Sequence, residues 1–564
     1  MSPGPLFSRD LLTTARQTRH YLLRAGAVLM AFAVLYTAGQ VVFGFQQVRT
    51  TGDTARFGHF VFNVLAILQL TVVMAVALMQ SASTVSTEKD RRTLVILLMT
   101  DLSGFELVVG KMLAALINVV TVVLVSTGAL MIVRMLGGVT IGQIVALELL
   151  CLSAGLMAAA WATLVAYWRE KTFQTLAISA LGLMGLLGVT ALVAAFAPGV
   201  GDAFAGLNPY LTLRRIVTPL AYGDGLSIAS LAAGLIGPAV LGVLLLAVAV
   251  AKVRVWNPPR VVHQQAEEGE AARVRPPRSV WKTPVLWREI RTLAYGRKTV
   301  VIKGVFLLIA AALFYTGLTS EAAPLFGKLP PVGVSLVVLS LLGLLLLNAQ
   351  AVTSLTTERD GQTLELLLVT EVPASEFVHG KFLGALWNSK EMILAPLILI
   401  WVGYARALIG LENSVFVTIG FLTLVAFAAM LGLHFGLNYG SSRKAIGGSL
   451  GTMAFLFLGI FICMLLIVEG QSNFAFQFTP FLVFILGGAI ALWSALTART
   501  PSPALTFGAL ILPFLTFYAL ASFLLGNTLG VMLAVVVAYG FTAFAMYVPS
   551  VSEYVVAVGR GRGD

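Results

Sequence analysis

The sequence is built from apolar runs of about 20 residues, which is the length that an α-helix needs to cross ~30 Å of hydrocarbon. Charged residues make up only 11% of the 564 positions, whereas soluble globular proteins carry about a quarter. A water-soluble surface cannot be built from so few charges. The sequence therefore predicts an all-α, polytopic membrane protein.

The apolar runs fall into two halves with 12 to 14 predicted transmembrane helices in total. The first half has six predicted spans, near residues 21–44, 59–80, 108–133, 141–168, 173–197 and 226–251. The second half has eight, near residues 300–318, 332–355, 377–402, 414–438, 446–468, 476–496, 503–524 and 528–548. Prolines interrupt the last runs, so six spans with extra C-terminal helices are expected there. We expect residues 198–225 to form an external or re-entrant amphipathic segment in short pieces, because Asn208-Pro209 and Thr218-Pro219 interrupt it.

A basic segment separates the two halves. Residues 251–298 hold 11 Lys/Arg and four acids, and positive charge in loops marks the cytoplasmic side. The predicted organisation is a first transmembrane half at 1–251, a cytoplasmic linker with an amphipathic helix at 252–299, and a second half at 300–564. We expect a multi-pass protein of the bacterial inner membrane with a cytoplasmic N-terminus. The basic residues are explained by their role in membrane topology and by their attraction to anionic lipid headgroups. No nucleic-acid-binding module accompanies them.

An internal repeat, at an offset of 270 residues, indicates that the two halves arose by duplication. Residues 83–118 and 353–388 align without gaps and are identical at 16 of 36 positions. A shorter repeat precedes each half, at residues 5–13 and 284–292. Each half is therefore predicted to begin with a short basic amphipathic helix.

Within the repeat, residues 93–100 form an apolar run that is too short to cross a bilayer. This pattern predicts a short helix at the membrane surface or under another protein. Ser103 and Glu106 have the spacing of a capping box and predict the start of the next helix, where the second copy has Pro373. Lys111 and Lys381 are expected to extend their ammonium groups to the lipid headgroups.

The pattern Glu-x-x-x-x-Thr-Leu-x-x-Leu-Leu-x-Thr, followed by Glu-x-x-x-Gly-Lys, resembles the type-2, exporter-class permeases of ABC transporters. The resemblance implies that this segment is the coupling helix, which touches an ATPase subunit, and that the short amphipathic helix is the elbow helix. The second copy matches the pattern more closely. The resemblance assigns ATPase docking to Glu88, Thr93, Leu94, Leu97 and Leu98 in the first copy, and to Glu358, Gly361, Thr363, Leu364, Glu365, Leu367 and Leu368 in the second.

The sequence lacks nucleotide-binding and catalytic motifs. A P-loop requires Gly-Lys followed by Ser or Thr, but each Gly-Lys here is followed by Met112, Leu329 or Phe382. We therefore expect no enzymatic activity, cofactor or metal site in this chain, with ATP and Mg²⁺ bound by a separately encoded ABC ATPase dimer. The alternatives are an ion-coupled secondary transporter with tandem halves and a membrane scaffold protein.

Three ionisable residues fall inside predicted spans: Glu148, Lys390 and Glu391. Such residues are candidates for a polar transport path, and the alternative is a structural ion pair. Because adjacent residues of a helix face different directions, any partner of Lys390 or Glu391 is expected on another span.

Overall fold

The computed structural model describes most of both halves. The described residues are 50–90, 93–169, 172–196, 205–218, 228–257, 281–291, 299–319, 329–360, 372–440, 442–460, 485–497 and 502–561, with 7–9 and scattered positions between 21 and 36. The predicted span 21–44 and the linker 252–299 lie largely outside them, and the predicted span 446–468 is described as far as residue 460. The repeat residues from Gly361 to Leu368 also lie outside the described residues.

The prediction of an all-α polytopic membrane protein is confirmed. The described residues form helices and no β-strand. Within those residues, nine helices are long and apolar enough to cross a membrane, and a bent helix pair makes a tenth candidate. The chain divides into two compact units, residues 1–275 and 276–564.

The first unit contains seven described helices. They are α1 (Thr51–Asp90), α2 (Thr93–Leu98), α3 (Gly104–Met135), α4 (Ile141–Trp168), α5 (Thr172–Phe196), α6 (Pro209–Val217) and α7 (Ile228–Trp256). Helix α4 lies at the centre of the core. Its small residues Ala154, Ala158 and Ala162, which are spaced four apart, are buried, and small side chains allow neighbouring helices to approach closely.

The segment predicted to be broken into short amphipathic pieces contains α6. The side chain of Asn208 accepts a hydrogen bond from the backbone N–H of Tyr210 (3.0 Å), and Pro209 occupies the first turn, where its missing N–H costs nothing. The helix ends before Thr218. One face of α6 is buried through Leu213 and Ile216.

The second unit contains ten described helices. They are α8 (Pro284–Arg291), α9 (Thr299–Thr319), α10 (Pro331–Asp360), α11 (Ala374–Asn388), α12 (Lys390–Ala405), α13 (Leu411–Asn438), α14 (Ser442–Ala454, followed by a π-helical turn at Phe455–Gly459), α15 (Gly487–Thr497), α16 (Pro503–Leu524) and α17 (Thr528–Gly561). Helices α10 and α13 pack closely, because Gly432 lies where an added Cβ would be 2.6 Å from the Asn348 carbonyl oxygen. His434 bridges α13 to α15 through the Leu496 carbonyl (3.0 Å).

The duplication extends to the helix boundaries. Adding 270 to a boundary in the first unit gives the boundary in the second: α1 and α10 end at Asp90 and Asp360, α3 and α11 begin at Gly104 and Ala374, and α4 (Ile141–Trp168) corresponds to α13 (Leu411–Asn438). The turns after α3 and α12 share a left-handed residue, Gly137 (φ 93°) and Ala407 (φ 57°). The two units therefore share one local architecture over this stretch.

The units differ where α11 meets α12. Residues 377–402 were predicted as one span, but the helix bends by 58° between Asn388 and Lys390, whereas α3 is continuous at the equivalent position. Ser389 leaves helical geometry (φ −106°, ψ 17°). Its hydroxyl donates a hydrogen bond to Oε1 of Gln350 on α10 (3.2 Å), a side-chain interaction that competes with the helical path.

Candidate functional site

The first charge cluster consists of Glu88, Lys111, Thr93 and Arg9. Nζ of Lys111 lies 3.0 Å from Oε1 of Glu88, with the Lys111 side chain 2% exposed and the Glu88 side chain 19% exposed. The Thr93 hydroxyl donates to Oε2 of Glu88, and Arg9 approaches the carboxylate at 3.9 Å. The cluster thus joins the end of α1, the start of α2 and the first turns of α3.

The Glu88 carboxylate lies just beyond the apolar part of α1, which ends at Ser86. Burial alone would raise the pKa of Glu88. Hydrogen bonds from Thr93 and Lys111, with the positive charges of Lys111 and Arg9, outweigh burial and hold the pKa below its usual value. Glu88 therefore carries a negative charge in the folded protein at neutral pH.

The second charge cluster consists of Glu358, Lys381, Glu289 and Arg288. Nζ of Lys381 lies 2.7 Å from Oε1 of Glu358 and 2.7 Å from Oε1 of Glu289, and the Lys381 side chain is 1% exposed. Arg288 also forms an ion pair with Glu358. Helix α8, in the position expected for an elbow helix, is thereby joined to α10 and α11.

The expectation that Lys111 and Lys381 reach the lipid headgroups is wrong. Both lysines are buried inside their own units and pair with a repeat glutamate 23 residues earlier (111 − 88 and 381 − 358). An ammonium this deeply buried is stable only with an opposite charge and hydrogen bonds. The repeat therefore preserves an internal ion pair.

Glycines on α11 allow α8 to approach this helix. A Cβ added at Gly380 would lie 2.8 Å from Cγ1 of Val285, and one added at Gly384 would lie 2.7 Å from Cβ of Glu289. Real Cβ atoms essentially never show such distances. The two glycines thus form the surface on which α8 rests.

Lys89 and Arg359, which are equivalent residues of the repeat, cap the C-terminal ends of α4 and α13. Nζ of Lys89 donates to the carbonyl oxygens of Tyr167 (2.7 Å) and Arg169 (2.8 Å). The equivalent Arg359 donates to those of Leu437 and Tyr439. A cation at a helix C-terminus satisfies free carbonyls and complements the helix dipole. Sequence reasoning missed this role, although a basic residue directly after Glu88 and Glu358 was visible in both copies.

Helix α2 forms where a short apolar helix was predicted, and the predicted capping box of Ser103 and Glu106 is present at the start of α3. Leu94 requires a correction as a docking residue. It is 3% exposed and packs in a cluster with Val85, Leu107, Val108, Tyr167 and Val253. A side chain in the core of its own unit is not available to a partner.

The exposed apolar side chains of the α2 segment are Ile96 (65% exposed) and Met99 (73% exposed), which the docking prediction omitted. Leu97 and Leu98 are partly buried against the core. Helical spacing explains the division, because positions 94, 97 and 98 share one face of α2. The leucines that recur in the repeat therefore lie on the buried face of α2.

The predicted intramembrane residue Glu148 lies on α4. Nε2 of Gln69 on α1 donates to its carboxylate at 2.7 Å, and the Thr127 hydroxyl on α3 donates at 2.9 Å. In the part of the chain that the structure describes, no basic side chain lies within ion-pair distance of Glu148. The carboxylate thus links three helices through neutral donors.

The adjacent residues Lys390 and Glu391 interact with different groups at the bend between α11 and α12. Glu391 pairs with Lys303 on α9, with Nζ 2.8 Å from Oε2. Nζ of Lys390 lies 4.5 Å from the centre of the Trp387 ring, which is a cation–π contact. The partner of Glu391 lies on another span, as expected from helix geometry.

No protein-family model matches the chain, and no curated protein matches it. Within the described residues, no group of three or more side chains that could hold a metal ion comes together. The functional conclusion therefore rests on the duplication and on the geometry of α2 and the two charge clusters.

Proposed function

We propose that this chain is the transmembrane permease subunit of an ABC transporter of the exporter class, with both halves fused and ATP hydrolysed by a separate ATPase dimer. The observation that carries the proposal is α2. This helix of six residues and the turn that follows it present the large apolar side chains of Ile96 and Met99 beside the charged end of α1. Large apolar side chains exposed in a polar setting are suited to burial in a protein interface.

The surroundings of α2 support a coupling role. Leu94 anchors the helix among residues of α1, α3, α4 and α7, and Thr93 joins it to the Glu88–Lys111 pair. A displacement of α2 by a partner would therefore act on the ends of four helices. Packed interiors resist deformation and transmit such displacements.

Nucleotide chemistry belongs to the partner in this proposal. ATP and Mg²⁺ would bind to the ATPase dimer, since the sequence has no Gly-Lys followed by Ser or Thr. The permease would take no cofactor and would undergo no covalent step. Its contribution would be to bind the ATPase through the two coupling segments and to move its helices in response.

The proposal includes an orientation in the bacterial inner membrane, with the N-terminus, the linker and both coupling segments in the cytoplasm. The excess of basic residues at 251–298 supports it. A cysteine placed by Gln265→Cys should react with a membrane-impermeant maleimide in inverted vesicles and not in intact cells. Labelling in intact cells would contradict this orientation.

The direct test is to introduce a charged side chain on the exposed face of α2. We expect Ile96→Glu to abolish co-purification of an ATP-binding subunit, detected by photolabelling with azido-ATP, because an unpaired charge in a protein interface costs several kcal/mol. Ile141→Glu is the matched control, because Ile141 is also exposed (53%) but begins α4 at the end remote from α2. Normal labelling in the Ile96 variant, at normal membrane abundance, would refute the proposal.

A further inference from the structure

A cavity of about 680 Å³ opens in the first unit between α1 and α6. Ligand-binding cavities of proteins commonly have volumes of about 300–1,000 Å³. The first charge cluster and α2 lie elsewhere in this unit. The residues that line the cavity are Asn63, Ile67, Tyr210, Leu213, Arg214, Val217 and Thr218.

The cavity has one charged group, the guanidinium of Arg214. Arg214 is exposed, and no carboxylate of the described residues lies within ion-pair distance of it. The Tyr210 hydroxyl shares a 2.9 Å hydrogen bond with the Thr71 hydroxyl, which holds its ring in place. The Asn63 amide adds a further hydrogen-bonding group, so the polar part of the cavity favours an anion with several acceptor oxygens.

The rest of the cavity is apolar. Ile67 is 48% exposed there, and Leu213 and Val217 lie on the buried side of α6. A cationic group beside apolar side chains matches a ligand with an anionic head and a hydrocarbon part. Membrane lipids have this chemistry.

The position of the cavity along α1 also suits a lipid headgroup. Asn63 precedes Glu88 by 25 residues (88 − 63), which is ~38 Å along a helix and more than the ~30 Å of a hydrocarbon core. The cavity therefore lies near the membrane surface opposite to the first charge cluster. Arginine and tyrosine at this level can contact headgroups while their stems remain among acyl chains.

We propose that this cavity binds the headgroup of an acidic phospholipid, with the phosphate on Arg214, a hydrogen bond from the Asn63 amide, and the ring of Tyr210 beside the headgroup. The acyl chains would run along Ile67. This inference is independent of the proposed transport function, because it requires neither an ATPase nor a transported substrate.

The test uses the full chain with a photo-crosslinking amino acid at position 67, in vesicles of equal parts phosphatidylglycerol and phosphatidylcholine. Intact-protein mass spectrometry identifies the lipid adduct. We expect about a five-fold preference for phosphatidylglycerol, which is the effect of one basic residue near an acidic headgroup. Arg214→Lys should retain the preference and Arg214→Gln should remove it.

Two controls make the result specific. Arg134→Gln removes an exposed arginine that does not line the cavity and should leave the preference at position 67 intact. The same crosslinker at Leu124, which is 66% exposed on α3, should give adducts in the ratio of the vesicle. Equal adducts at position 67 in the unmodified cavity, a preference that survives Arg214→Gln, or an equal preference at position 124 would each overturn the inference.

Discussion

The ammonium of Lys111 lies 3.0 Å from the carboxylate of Glu88, and both residues belong to the internal repeat. Their counterparts Lys381 and Glu358 are 2.7 Å apart. Burying an ion pair costs desolvation energy that its attraction only partly returns. Replacement by apolar residues can therefore be tolerated, whereas loss of one partner leaves a buried charge.

The ion pair predicts unequal costs for its two single variants. Glu88→Leu removes the carboxylate that lies 3.0 Å from the buried Lys111 ammonium, and we expect it to destabilise the fold by about 3–5 kcal/mol. Lys111→Met leaves Glu88, which is 19% exposed and near Arg9, and should cost about 1–3 kcal/mol. Thermal unfolding of the purified protein in detergent measures the order.

The double variant Glu88→Leu/Lys111→Met completes the cycle. It should be more stable than Glu88→Leu alone, because neither charge remains. Additive losses would show that the two residues do not interact energetically.

The lowered pKa of Glu88 predicts a defined pH dependence. A carboxyl group with a folded-state pKa below its usual value of 4.5 stabilises the fold above that pH, and the contribution is lost as the pH falls through the folded-state pKa. The Tm advantage of the natural protein over Glu88→Leu should be constant between about pH 6 and 8 and shrink below about pH 4.5. An advantage that persists unchanged at lower pH would assign the effect to packing.

Local sequence patterns predicted much of the first copy of the site. The short helix at Thr93–Leu98 followed from an apolar run too short to cross a bilayer, and the start of α3 followed from Ser103 and Glu106. Both are decided by residues a few positions apart. The small residues Ala154, Ala158 and Ala162 of α4 lie together in the core, because helical periodicity determines which side chains share a face.

Long-range pairings could not be predicted in the same way. The Lys111 side chain reaches Glu88 only because α1 and α3 are antiparallel neighbours, and a lysine at a predicted membrane boundary is equally compatible with extension to the lipid. The bend at Ser389 depends on Gln350, 39 residues earlier. The sequence predicts that Leu94 contacts a partner protein, because apolar periodicity does not distinguish a helix face in the core from one in an interface.

Gly384 provides a prediction for the second charge cluster. An alanine Cβ there would lie 2.7 Å from Cβ of Glu289, so Gly384→Ala should displace α8 and cost about 1–3 kcal/mol through overpacking. Gly304→Ala is the matched control, since no atom lies within 4 Å of its added Cβ, and it should be neutral or stabilising by up to about 1 kcal/mol. Equal Tm values for the two variants would show that α8 does not rest on Gly384.

The opposite exposures of Leu94 and Met99 predict that stability and partner binding can be separated. Leu94→Ala removes a buried side chain and should lower the free energy of unfolding by about 2–5 kcal/mol. Met99→Ala should change it by less than about 0.5 kcal/mol, because the side chain is 73% exposed. If α2 docks into an ATPase, the order reverses for binding at a temperature where both variants are folded: Met99→Ala should weaken co-purification of the ATP-binding subunit more than Leu94→Ala does. The Tm values test the order of the stability losses, and azido-ATP labelling of the co-purified subunit tests the order of the binding losses. A Met99 variant with unchanged labelling would restrict the contact to Ile96 or exclude α2 from the interface.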